Sequence, residues 1–153
     1  MNLLPRRSLL AVAAVVDIAY HARPTPIAAK TLAARHGLPP RHLETLLQVL
    51  VRSGILKGVR GPRGGYELAR ERRRITIADI VRAALGESDE PGSIEDAERD
   101  GSQLVVDVVK PMIRSASESF LERLDEINVD DLCNEAERRS VFADSRPSYD
   151  FTI

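Results

Sequence analysis

From Pro40 to Ser53 the apolar residues Leu43, Leu46, Leu47, Leu50 and Val51 recur at spacings of three and four, one stripe of a helix, with Gly54 placed to end it. The opposite face holds Arg41, His42, Glu44, Thr45, Gln48 and Arg52. Upstream, residues 8–21 predict a helix that is apolar on nearly every side except at Asp17 and so must be covered on more than one face. A second helix is expected from Pro26, capped by Thr25, with Ile27, Ala28, Leu32 and Ala33 inward and His36-Gly37 closing it. Residues 55–59 and 66–69 read as strands joined by a glycine-rich turn, GPRGG. Thr76 and Asp79 form a variant capping box before the stripe Ile77, Ile80, Val81, Ala84 and Leu85. Farther on, Leu104, Val108, Met112, Ala116, Phe120, Leu124 and Ile127 mark one long helix, which Pro111 should kink or split. Asn128 can cap a last helix over residues 129–138, and the chain from Ser140 onward is expected to be loose.

A polar-faced helix followed at once by a basic-tipped hairpin is the layout of a winged helix-turn-helix, in which the helix enters the major groove of DNA and the hairpin tip follows the backbone or the minor groove. Arg41, His42, Glu44 and Thr45 fall on the first turns of that helix, where base edges come within reach. Arg can donate to guanine and Glu can accept from cytosine, so these four and Gln48 are the candidate readers. Arg63 in the hairpin tip is expected to add a phosphate or minor-groove contact.

The run VRGPRGGY at residues 59–66, with ITIADIV at 75–81, resembles the Rrf2 family of bacterial transcriptional regulators, and the whole chain fits the family's length. The resemblance implies a homodimer with an N-terminal winged helix-turn-helix and a long C-terminal dimerisation helix. It also implies a role for Glu44 in site selection and a DNA contact from Arg60. One departure is Pro39, which stands where members commonly carry a serine-like cap. Many members bind an iron–sulfur cluster through three cysteines between the winged domain and the long helix. Residues 87–102 contain none, so the resemblance does not carry the cluster across, and no cofactor or metal is expected. The single cysteine, Cys133, reads as a small apolar residue at a helix contact rather than a redox switch, and it excludes an intramolecular disulfide.

Charge sharpens the division. The 153 residues carry a net charge of −1, but residues 1–86 hold 15 Lys and Arg against 5 Asp and Glu, while residues 87–153 hold 7 against 18. A net +10 beside a net −11 suggests one half facing nucleic acid and one held off it. Arg6 and Arg7 followed by SLLAVAAVV imitate a secretory leader, yet the apolar run reaches only to Asp17, far short of the roughly 20 residues of a membrane span. A cytoplasmic protein with no membrane partner is expected. Residues 87–102 are acidic, follow no spaced ligand pattern and read as a solvated hinge. No nucleophile with a neighbouring base, no zinc spacing and no phosphate-binding loop is present, which argues against an enzyme.

The expected architecture is therefore mainly α with a small β-hairpin. Residues 1–86 form the winged helix-turn-helix, 87–102 the hinge, 103–138 the dimerisation helices and 139–153 a loose tail. The long stripe Leu104, Val108, Met112, Ala116, Phe120 and Leu124 has too little chain around it to be covered internally and should pair with a second copy. The expected partners are double-stranded DNA and that second copy, with a repressor acting on a roughly palindromic operator; the effector is not legible. The alternative function is a winged-helix module that docks a protein and binds no operator.

Overall fold

The computed structural model describes residues 3–86 and 102–143; the expected hinge at 87–101 and the chain from 144 onward lie outside the described residues. In chain order the elements are α1 (Arg6–His21), α2 (Ala29–His36), α3 (Pro40–Arg52), β1 (Leu56–Val59), β2 (Gly65–Leu68), a 3-10 turn (Arg72–Arg74), α4 (Ile77–Leu85), a π turn (Val105–Val109) leading into α5 (Lys110–Asp125), and α6 (Val129–Arg138). This is the mainly helical fold with one small hairpin that the pattern predicts.

Helix α1 is the centre of the core and packs against α3, α4, α6 and β2. Ala11, Ala14, Val15 and Ile18 are all but fully buried, as an all-round apolar helix requires. The polar interruption is buried too. Asp17 has no exposed surface, and its carboxylate accepts hydrogen bonds from His21 Nδ1 at 2.9 Å and His36 Nε2 at 2.8 Å and pairs with Arg35. A carboxylate withdrawn from water is tolerable only with such partners, and here they tie α1 to α2.

The second helix departs from expectation. It begins at Ala29 rather than Pro26, and neither Thr25 nor Pro26 caps it. The reason is a non-local pairing: Ile27 and Tyr66 exchange backbone hydrogen bonds of 3.0 and 2.8 Å, so Ile27 is extended backbone beside β2. Gly37, at φ 61°, then closes α2 in the left-handed conformation. Pro39 caps α3 without a side-chain bond and Pro40 starts it.

Downstream, Thr76–Asp79 and Asn128–Asp131 both form complete capping boxes. The two caps meet, with Ile77 N–H on Ile127 O and Val129 N–H on Ile75 O, each at 2.9 Å. This pairing draws α6 onto the N-terminal domain, where Val129 and Cys133 enter the core. Within the protomer, residues 129–138, which the sequence groups with the dimerisation helix, pack on α1 and the 3-10 turn. Pro111 sets off the first turns, as expected: residues 105–109 form a π turn with Lys110 N–H bonding Val105 O, and the regular α-helix starts at Lys110, so the proline falls in its first turn, where its missing N–H costs little. The expected looseness after residue 139 also fails for its first residues, because Phe142 packs its ring 4.8 Å from those of Tyr20 and His21.

Candidate nucleic-acid interface

The apolar side of α3 fixes which side faces outward. Leu43, Leu46, Leu47 and Leu50 are buried, each contributing roughly 1.5–3 kcal/mol. That total far exceeds any preference of the polar side, so Arg41, His42, Glu44, Thr45 and Gln48 are all held in solvent. They differ in their local ties. Thr45 Oγ1 donates to Arg41 O at 3.1 Å, which leaves the hydroxyl oxygen to accept. Gln48 Nε2 lies 3.4 Å from the Tyr66 hydroxyl, bridging α3 to the hairpin. The side chains of Arg41, His42 and Glu44 have no hydrogen bond or ion pair among the described residues. For Glu44 this matters, because a pairing with Arg41 or Gln48 along the helix would have given the carboxylate a purely structural role.

The hairpin supplies the second part. β1 and β2 pair antiparallel in the register Leu56–Leu68 to Val59–Gly65. The tip closes with Gly64 N–H on Gly61 O at 2.9 Å, and Gly61 has φ 116°, a region that side chains disfavour. A Cβ on Gly64 would stand 2.3 Å from Val59 O, and one on Gly65 2.4 Å from Ile27 O. The glycines thus let the tip fold tightly and let β2 lie against Ile27, which places Arg60 and Arg63 outermost on an exposed loop. Neither arginine meets a carboxylate among the described residues.

Most of the long-helix stripe is likewise open. Leu104, Met112 and Val108 are 65%, 71% and 47% exposed, and Val106, Val109 and Ile113 widen the apolar surface around them. Ala116 is exposed, whereas Phe120 and Leu124 are half-buried, Leu124 against the chain's own core. The candidate dimerisation residues therefore fall into an uncovered group, Leu104 to Ala116, and a group partly covered within the protomer.

The pattern missed several residues that shape this surface. Asp17 and its three basic partners anchor the helix-turn-helix to α1, and Tyr66 joins α3 to the wing. Only the lone charge of Asp17 in an apolar run hinted at the first.

Comparison with known proteins bears on what such a surface serves. The Rrf2 family model, described as an iron-dependent transcriptional regulator, matches residues 4–135. Protein rrf2 of Nitratidesulfovibrio vulgaris is 28% identical over 133 residues, covering 87% of this chain and 88% of that protein. The HTH-type transcriptional regulator IscR of Xenorhabdus nematophila is 35% identical over 80 residues, 52% of this chain and 49% of that relative, so that match spans about half of each. The solved structure of T. potens IscR superimposes with a TM-score of 0.69 at 33% identity over 90% of each chain.

Among the described residues, no set of donors matches the iron in the family description. The only thiol, Cys133, is 2% exposed, lies 3.9 Å from Val16 O, and has its pKa pushed up by burial, all unfavourable to a ligating thiolate. His21 and His36 do converge on the Asp17 carboxylate, but the Arg35 guanidinium pairs with the same carboxylate and already neutralises it. No group of three or more metal-binding side chains occurs among the described residues. Nor, among them, is any helix long and apolar enough to cross a membrane.

Proposed function

This chain belongs to the Rrf2 family of transcriptional regulators, and from that premise we propose that it is a homodimeric, sequence-specific repressor that works without an iron–sulfur cluster. The observation that carries the reading is the pair of outward surfaces: the solvent-held face of α3 beside an arginine-tipped glycine wing, and the uncovered apolar stripe from Leu104 to Met112. A second copy covering that stripe gives two reading helices, which in such dimers enter successive major grooves about 34 Å apart on a roughly palindromic site. Occupying a promoter would exclude polymerase. The non-catalytic role agrees with the regulators it resembles.

Glu44 gives the reading its sharpest test. Phosphates repel a carboxylate, so an exposed, unpaired Glu on a reading helix is tolerable mainly where it accepts from a base such as cytosine N4. Selecting bound duplexes from random DNA with the purified protein should return a palindromic site. Glu44→Ala should bind as tightly or more so while losing preference at one base pair per half-site, about 1–3 kcal/mol. Unchanged preference rejects that role for Glu44, and no enrichment from the wild type rejects operator binding. The same preparation, made without oxygen, should contain no stoichiometric iron or acid-labile sulfide.

A further inference from the structure

We infer that Arg6 and Arg7, at the start of α1, form a third DNA contact that grips the sugar–phosphate backbone flanking the base-reading helix. This rests on the DNA-binding reading above and adds to it a part of the chain outside the helix-turn-helix and wing.

The observation is a groove of about 550 Å³ between the first turns of α1 and the first turns of α3. Arg6, Arg7 and Leu10 line one side, and His42, Thr45 and Leu46 line the other. Two of the four candidate base contacts on the first turns of α3, His42 and Thr45, therefore share this space with a pair of arginines. Both arginines are exposed, and neither has a hydrogen bond or ion pair among the described residues. They do nothing for the helix itself. α1 has no acidic residue in its first turn and no side-chain cap, and cations there oppose the helix dipole. Their positions are nevertheless rigid, because the adjoining Ser8 and Ala11 are buried in the core.

When the face carrying His42 and Thr45 enters a major groove, the strand bordering that groove must pass beside it, and the space beside it is the one Arg6 and Arg7 edge. Phosphate is the chemistry that suits two unpaired guanidiniums, which donate to it in pairs. The apolar floor of Leu10 and Leu46 suits the deoxyribose between phosphates. The contact is to the backbone, so it strengthens binding and fixes register without reading sequence.

The test measures affinity for a selected site and for a random duplex across a salt series, using the full chain. Arg6→Gln combined with Arg7→Gln should weaken both duplexes by the same factor and make the slope of log affinity against log salt shallower by about two per protomer. The Lys pair at the same positions should restore the slope, since the slope counts charges. The selected base pattern should not change. In a second arm, neutral methylphosphonates at the phosphates flanking each half-site should weaken the wild type and have no further effect on the Gln pair. An unaltered slope in the Gln pair, a shifted base preference, or methylphosphonate losses equal in both proteins overturns the inference while operator binding stands. A wild type that shows no salt-dependent DNA binding at all overturns the underlying reading instead.

Discussion

Arg63 at the hairpin tip and Arg73 in the 3-10 turn beyond its base are both exposed arginines of the basic half, and the fold treats them differently. At the tip, Arg60 and Arg63 face no carboxylate among the described residues, and neither does Arg41 on the neighbouring helix. Past the base, Arg70 lies 3.8 Å from Asp79 and Arg72 and Arg73 grip Asp130 at 2.6 and 3.3 Å, while on α4 Arg82 holds Asp125 at 2.9 Å. Arg74 is the exception there, exposed and without a carboxylate partner among the described residues. Asp125 and Asp130 come from the acidic half of the chain. Part of the charge asymmetry is therefore an attraction between the two halves of one molecule, which clamps α5 and α6 to the winged domain. The cations available to DNA are those the fold leaves unpaired beside α3 and the wing, a smaller set than the net +10 suggests.

The buried end of this pairing scheme predicts the largest effect. Asp17 holds His21, Arg35 and His36 with no exposed surface, and Asp17→Ala would leave those groups crowded around a void. A loss of about 3–5 kcal/mol in urea unfolding is expected. A loss under about 1 kcal/mol would show that water reaches the cluster and that it is no more than a surface pairing.

Next in size is the loss of the second DNA face. Met112→Asp places a charge on the exposed part of α5, clear of the protomer core, and should give monomers by sedimentation. Operator affinity should then fall by roughly 10²–10⁴, because two half-sites no longer bind as one. Leu124→Asp is a poorer probe, since Leu124 also packs on its own domain. A Met112→Asp protein that stays dimeric would place the interface elsewhere.

The tip and the base are compared directly by paired substitutions. Arg63→Ala should weaken every duplex similarly and reduce the salt slope by about one per wing. Arg73→Ala should leave the slope alone and cost at most about 1 kcal/mol of stability, as an exposed ion pair does. Equal slopes for the two variants would erase the distinction drawn between them.

The features that sequence revealed are those set by neighbours in the chain. Helix α3, the Thr76–Asp79 capping box, the cap at Asn128, the end of α2 at Gly37 and the glycine wing follow from residues within a few positions of each other. The features that escaped it depend on distant partners. Tyr66 pulls Ile27 out of a helix start that Thr25 and Pro26 would otherwise favour. Arg73 and Asp130 are 57 positions apart, and nothing local distinguishes Arg73 from Arg63 as a structural cation. The outward face of α3 that carries the candidate readers was legible because the apolar stripe fixes it, while the groove shared with Arg6 and Arg7 needed the packing of α1 on α3.

The smallest expected effect concerns acid and the pairing of α4 with the end of α5. Asp125 accepts two hydrogen bonds from Arg82, at 2.9 and 3.3 Å, and one from Thr76 Oγ1 at 2.8 Å. Arg82 first and Thr76 second hold its carboxyl below the usual aspartate range, while the same contact raises Arg82, which stays charged throughout. A carboxyl lowered in the folded state binds its proton less readily than in the unfolded chain. Its contribution is therefore complete above the ordinary aspartate pKa and is lost as pH falls through the lowered value. Because Asp125 is at the surface, the contribution is small and screened by salt. Asp125→Asn should lower the urea midpoint slightly at pH 7, and the gap to the wild type should close as the pH is brought below the ordinary aspartate range. The difference between the two proteins cancels every other titrating group. A gap that stays constant with pH would mean that Asp125 joins α5 to α4 through shape and neutral hydrogen bonds, with no part for its charge.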